Sequence, residues 1–278
     1  MDNAEILALL AQTLARGQTG HQPEQPLAAR LCDACTEILG AQAGMMSLSS
    51  ASERLTMRIA EPAFAQIEDL QAVLGEGPAL LAFAEGRTVV THLGATADLS
   101  TELTADVAAD GAGRSGSRQA DASAFPMFTA MAAAIEGAVS VYAVPMRPLG
   151  RVIGVLTLYL RGDVRGGRLA RSLEEAEFLA DAAGAALLGD PDTFDVGTQP
   201  WWPQRARVHQ ATGVVTAQLG IPPADALAVL RAHAFGRASS LESVVDDILD
   251  RTLTFSHDGT DPGTGGIVTD QDPRTEEP

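Results

Sequence analysis

The sequence predicts an α+β domain built on an antiparallel sheet, followed by a small all-helical unit. Three observations predict this order. In "VSVYAVPMRPLGRVIGVLTLYL" two β-branched runs flank Pro148-Leu149-Gly150, with proline at the second turn position and glycine at the fourth. Helical periodicity brackets that hairpin, around Leu31 on one side and Leu179 on the other. Beyond the aperiodic stretch "GDPDTFDVGTQPWWPQ", three amphipathic segments follow one another, two of them stopped by glycine.

Taken in order, residues 1–24 form an N-terminal arm. Ile6, Leu7, Leu9, Leu10 and Leu14 set a short amphipathic helix that stops at Gly17, and its apolar face suits packing or dimerisation. The main domain spans residues 25–189. It opens on a helix with Leu27, Leu31, Ala34, Ile38 and Leu39 on one face, and "AGMMSLSS" and "RLTMRIAE" then read as a hairpin about the turn Ser50 to Glu53. "GEGPALLAFAEGRTVVTHL" supplies a glycine turn, a helix from about Pro78 to Ala84 and a strand at Thr88 to His92. Another helix precedes the strong hairpin. Because that hairpin is apolar in both alternation phases, its strands are expected at the sheet centre, covered on both faces. A capping box at Ser172 and Glu175 opens the last helix, which runs through Phe178, Leu179, Ala182, Ala183 and Leu187 to Gly189 and Pro191.

Residues 190–204 read as a linker and 205–255 as the helical unit. Its helices are expected at Arg205 to Leu219, at Pro222 to Phe235, and at Ser240 to about Leu253 behind a Ser239/Glu242 capping box. The expected core is Val208, Val215, Leu219, Leu227, Leu230, Val244, Val245 and Ile248. Residues 256–278 are acidic and rich in glycine and proline, which predicts a disordered tail.

The 278-residue chain carries a formal charge of −17, and all 19 of its basic residues are arginine. Such a chain repels polyanions as a whole, so contact with nucleic acid requires a local patch and shape-specific contacts. No run is long and apolar enough to span a bilayer, and Asp2 and Glu5 stand where a secretory signal carries positive charge. A cytoplasmic protein with no membrane partner is expected.

Catalytic constellations are absent, since His21, His92, His209, His233 and His257 are scattered with no nucleophile signature beside them. The expectation is a protein that is not an enzyme and holds no metal. Cys32 and Cys35, three apart on one helix, read as partly buried reduced thiols; a redox pair or half a zinc site are the alternatives. "GAGRSG", Gly111 to Gly116, matches a dinucleotide fingerprint in letters only, because no strand leads into it and no helix opens from it. It lies in a polar insertion from about Asp98 to Ala124 and reads as a flexible loop. Trp201 and Trp202, between prolines, read as a hydrophobic plug in preference to a base-stacking platform.

"VHQATGVV", from Val208, places Gly213 within a helix at a cost of about 1 kcal/mol relative to alanine. Small residues there, Ala211, Thr212 and Gly213, let something approach the backbone. A neighbouring helix or a ligand would satisfy that requirement.

"LGEGP", "AFAEGRTVV", "AVPMRPLGRVIGVLTLYL" and "FLADAAGAALL" together resemble the GAF sensor domain, over about Pro26 to Leu188. "VHQATGVV", "ADALAVLRAHA" and "SSLESVVDDIL" resemble the ANTAR domain of actinobacterial transcription antitermination regulators. The resemblance implies a dimer in which a GAF-like domain senses a small-molecule signal and the helical domain binds terminator-proximal RNA hairpins. It implies RNA contacts at Arg205, Arg207, Gln210, Ala211, Thr212, Gly213, Arg231 and Arg237. It also implies a pocket between sheet and helices lined by some of Met45, Phe83, Phe125, Phe128, Tyr142 and Tyr159. Two departures stand out. Thr212 occupies a position where many ANTAR members carry lysine, and no cysteine or histidine is placed to attach a chromophore or haem, so no cofactor is expected. The alternative is a different class of function, a dimerising protein-interaction module with a filled pocket and no RNA contact. Arg205, Arg207, Arg231, Arg237 and Arg251 are offset by Asp225, Glu242, Asp246, Asp247 and Asp250, and this near-neutral helical end weakens the RNA reading.

Overall fold

The computed structural model describes residues 2–17, 25–50, 53–59, 62–94, 118–119, 124–132, 139–162, 167–190, 202–257 and 267–271. The chain forms two compact units, Met1–Gln71 with Glu76–Gln199, and Ala72–Gly75 with Pro200–Pro278.

The first unit contains α1 (Asn3–Gly17), α2 (Leu27–Leu39), β1 (Ala43–Ser50), β2 (Glu53–Ile59), α3 (Pro62–Leu74) up to Gln71, α4 (Pro78–Glu85), β3 (Val89–Leu93) and β4 (Arg118–Gln119). It continues with α5 (Pro126–Ala132), β5 (Val139–Met146), β6 (Gly154–Arg161) and α6 (Leu173–Gly189). The sheet order is β2-β1-β6-β5-β3-β4, antiparallel except for the β3–β4 pair. As their apolar residues in both phases require, β5 is buried throughout and β6 is buried up to Arg161.

Register decides which helices each side chain meets. Ala43, Met45, Val141, Ala143, Thr157 and Tyr159 share one face, because Ala43 and Val141 both pair with Tyr159 while Met45 and Ala143 both pair with Thr157. Gly44, Met46, Tyr142, Val144, Leu156 and Leu158 share the other. On that second face α2 lies so close that a Cβ at Gly44 would collide with the Thr36 hydroxyl, and Gly184 of α6 sits against Met146 and Pro148. The first face carries α3, whose Phe64 stacks on Tyr159.

Local signals act as read. The Ser172 hydroxyl accepts from Glu175 N at 3.2 Å while the Glu175 carboxylate accepts from Ser172 N at 3.0 Å, the reciprocal cap that starts α6. The hairpin tip is held by Arg147, whose backbone N donates to Asp181 at 2.6 Å and whose guanidinium donates to the Gly86 carbonyl and Glu177. One helix departs from the sequence reading: α3 was not expected. Gly111 to Gly116 and Trp201 lie outside the described residues, whereas Arg118–Gln119, within the insertion expected to be a flexible loop, pair with Val89 and Val90 as β4.

The second unit contains α7 (Trp202–Leu219), α8 (Pro223–Gly236), α9 (Leu241–Leu249) and a two-stranded hairpin, β7 (Leu253–His257) with β8 (Ile267–Gln271). Its core joins Ala211, Val215, Leu219, Ala226, Leu230, Ala234, Val244, Val245 and Ile248, with Val208 packed at the edge. Three differences from the sequence reading appear here. The first helix starts at Trp202, inside the expected linker. The third ends at Leu249 and is capped by Ser240, whose hydroxyl accepts from Ser243 N at 3.1 Å. Leu253, expected to end that helix, instead begins β7 and is buried, and Phe255 N donates to the Gln218 side chain at 3.1 Å. The stretch expected to be disordered therefore includes paired strand at Ser256–His257 and Ile267–Gln271. Among the described residues no single helix is long and apolar enough to cross a membrane.

Candidate functional site

In the first unit, the chemistry concentrates where α3 meets the sheet. Phe64, Ile67, Glu68 and Gln71 fall at i, i+3, i+4 and i+7, one helical face, and all four are buried. Phe64 stacks on Tyr159 with centroids 5.1 Å apart, and the Tyr159 hydroxyl donates to Glu68 Oε1. Gln71 Nε2 donates to the same oxygen at 2.8 Å, and Gln71 Oε1 accepts from Ala79 N at 3.0 Å, tying the start of α4 to the cluster. Two residues from Tyr159 on the same sheet face, the buried Thr157 hydroxyl has no hydrogen-bond partner among the described residues.

The expected pocket residues divide. Met45 and Tyr159 share this face and are buried; Phe125 and Phe128 are buried and meet edge to face at 5.6 Å; Phe83 is half-buried on α4. Tyr142 does not belong with them. The register turns it to the opposite face, where its hydroxyl donates to the Gly167 carbonyl at 3.0 Å. The "LGEGP" turn does more than reverse the chain, because Glu76 Oε1 accepts from Phe128 N at 2.8 Å and so caps α5. Glu68, Gln71 and Glu76 are not among the site residues the sequence predicts. The signal that could have found the first two is their spacing with Phe64 and Ile67.

Both cysteines are free and buried in α2. Burial, with Asp33 adding repulsion, pushes the Cys32 thiol up to about 12, and burial raises Cys35 as well, so both remain protonated near neutral pH. That geometry suits the structural reading of the pair. His92 is held below its ordinary value by burial, with Arg168 adding to the effect, while its Nδ1 lies 2.8 Å from the Ser140 hydroxyl.

The small residues of the second unit do not form one surface. Successive helical residues turn by about 100°, so Ala211 and Gly213 point to nearly opposite sides of α7. Ala211 is fully buried against the other helices, and Thr212 is buried with its hydroxyl donating to the Val208 carbonyl at 2.8 Å. Neither side chain is available to a ligand, which corrects the expectation for both. Gly213 is exposed, and a Cβ built there would meet nothing within 4 Å. Gln210 is exposed as well. Arg207 Nε and Nη2 donate to Asp246 Oδ1 at 3.0 and 2.7 Å, and Arg237 Nη1 lies 3.7 Å from Asp247 Oδ2. Arg231 is half-buried on α8, and the Arg205 side chain lies outside the described residues.

No family model matches the sequence, and no curated protein matches it. Among solved structures, the GAF domain of A. aeolicus nlh2 in an inactive state shares 11% identity, with 66% of this chain and 90% of that chain covered and a TM-score of 0.30. The wild-type photosensory core module of the Stigmatella aurantiaca phytochrome shares 11% identity, with 95% of this chain and 49% of that chain covered and a TM-score of 0.33. These likenesses assign the chain to no family.

Proposed function

We propose that the protein is a cytoplasmic, dimeric regulator whose helical unit binds an RNA hairpin near a terminator and promotes transcription antitermination. The α+β unit acts as a GAF-like sensor that controls it. One observation carries the RNA half: α7 keeps a glycine at Gly213, where no packing contact among the described residues calls for one. A helix that bears about 1 kcal/mol with no internal neighbour to accommodate supports close approach by something from outside. Gln210 stands one turn earlier to hydrogen-bond it, Arg207 lies one turn before that on the same ridge, and Arg231 and Arg237 on the following helix and its end are the further cations assigned to phosphate. For the sensor half, the Glu68–Tyr159–Gln71 cluster and the Thr157 hydroxyl are the polar groups a small-molecule signal would engage.

A gel-shift comparison tests the reading: the full chain at moderate salt should bind a hairpin RNA with a single-stranded loop more tightly than duplex DNA of similar length. Equal affinity for the two would sink it. A protein-docking role has support of its own in Phe235, 42% exposed on α8. Loss of a co-purifying protein on Phe235→Ser, with no RNA recovered by crosslinking, would favour that role instead.

A further inference from the structure

We infer that Asp246, and more weakly Asp247, compete with RNA phosphate for the arginines of the helical unit, so that α9 sets the strength and salt dependence of RNA binding. The inference rests on the RNA-binding reading above. Arg207, Gln210 and Gly213 follow one another at i, i+3 and i+6 along a single ridge of α7, so a strand passing over Gly213 runs toward Arg207. There the guanidinium is already engaged. Nε and Nη2, a donor pair suited to a phosphate, both point at Asp246 Oδ1, at 3.0 and 2.7 Å. A carboxylate in that position is a phosphate mimic supplied by the chain itself.

The exchange is feasible because the pair stands in water. The Arg207 and Asp246 side chains are 41% and 55% exposed, where an ion pair holds weakly and salt screens it. A phosphate oxygen can therefore take the place of Oδ1 without opening the core. Arg237 is held more loosely, at 3.7 Å, by an Asp247 carboxylate whose other oxygen lies 3.4 Å from the Thr252 hydroxyl. Asp250, one turn beyond Asp246, is exposed and makes no side-chain hydrogen bond or ion pair among the described residues, so it serves as the control for charge alone.

The test uses the full chain and a fluorescently labelled RNA hairpin with a single-stranded loop, read by anisotropy at several salt concentrations. Asp246→Asn should bind about three- to tenfold more tightly, with a salt slope steeper by about 0.7 to 0.9 as one further phosphate contact forms. Asp250→Asn should gain less than about twofold, since it changes only the long-range field. In an Arg207→Ala background the Asp246→Asn gain should vanish, because the released cation is gone. An equal gain in Asp250→Asn, a gain that survives Arg207→Ala, or no gain while the unmodified chain binds RNA would each overturn this inference and leave the RNA-binding reading intact. Failure of every variant to bind RNA would overturn both. Asp246→Ser, which also removes the carboxylate, repeats the comparison if the asparagine variant folds poorly.

Discussion

Substituting Gly213 separates the folding role of α7 from its proposed binding role. With open space beyond its Cβ position, alanine there meets no neighbour, and the gain should equal the helix-propensity difference, about 0.5–1 kcal/mol. For a small unit melting independently, that corresponds to roughly 2–8 °C in thermal midpoint. Leucine is nearly as good a helix former, so Gly213→Leu should also raise the midpoint or leave it unchanged. The contrast is Ala211, fully buried two residues earlier, where leucine should cost about 1–3 kcal/mol by overpacking. Thermal melts followed by far-ultraviolet circular dichroism read the stability, and a gel shift with hairpin RNA reads the binding. Gly213→Leu should abolish binding in a protein that melts no earlier than the parent. An early melt would show that something packs on Gly213, and normal RNA binding by the leucine variant would show that this face does not read RNA.

Three further predictions test the rest of the structure. Cys32 and Cys35 should resist alkylation in the folded protein at mildly alkaline pH and react fully in denaturant; modification at equal rates in both states would contradict their burial. Tyr159→Phe removes a donor to the buried Glu68 carboxylate and should cost the first unit about 1–3 kcal/mol in denaturant unfolding, so an unchanged midpoint would remove that hydrogen bond from the account. His92 and His233 are both held below their ordinary values by burial, so the unfolded chain takes up protons first as pH falls through about 6.5. Stability should therefore be fully present above that pH and decline below it, and His92→Gln with His233→Gln should flatten the dependence of the urea midpoint on pH.

Much of the architecture is legible because it follows local rules. The strands β5 and β6 announce central positions through apolar residues in both phases, α6 announces its start by Ser172 and Glu175, and Val215, Leu219, Leu230, Val244, Val245 and Ile248 fall in the core that their spacing predicts. What escaped depends on partners far along the chain. Helix α3 is hard to read because Glu68 and Gln71 interrupt its apolar face, and the buried Glu68 is satisfied in part by Tyr159, 91 residues away. Tyr142 and Tyr159 look alike in sequence, and only the pairing of Val141 with Tyr159 turns them to opposite faces.

The end of α9 was misplaced for a related reason. Arg251 takes the left-handed conformation, φ 62°, that glycine usually marks, so no stop signal stood there to be read. Glu68 on an apolar face, Gly213 within a helix and Arg251 in place of glycine are each a local rule broken, and none can be interpreted without its surroundings. For Glu68 the surroundings supply Tyr159 and Gln71, and for Arg251 they supply the turn into a buried Leu253. Gly213 differs from both, because no described residue lies close enough to its Cβ position to repay its cost within the fold. That asymmetry is the physical ground for placing the proposed RNA-binding surface on the exposed ridge of α7 and not on the buried small residues beside it.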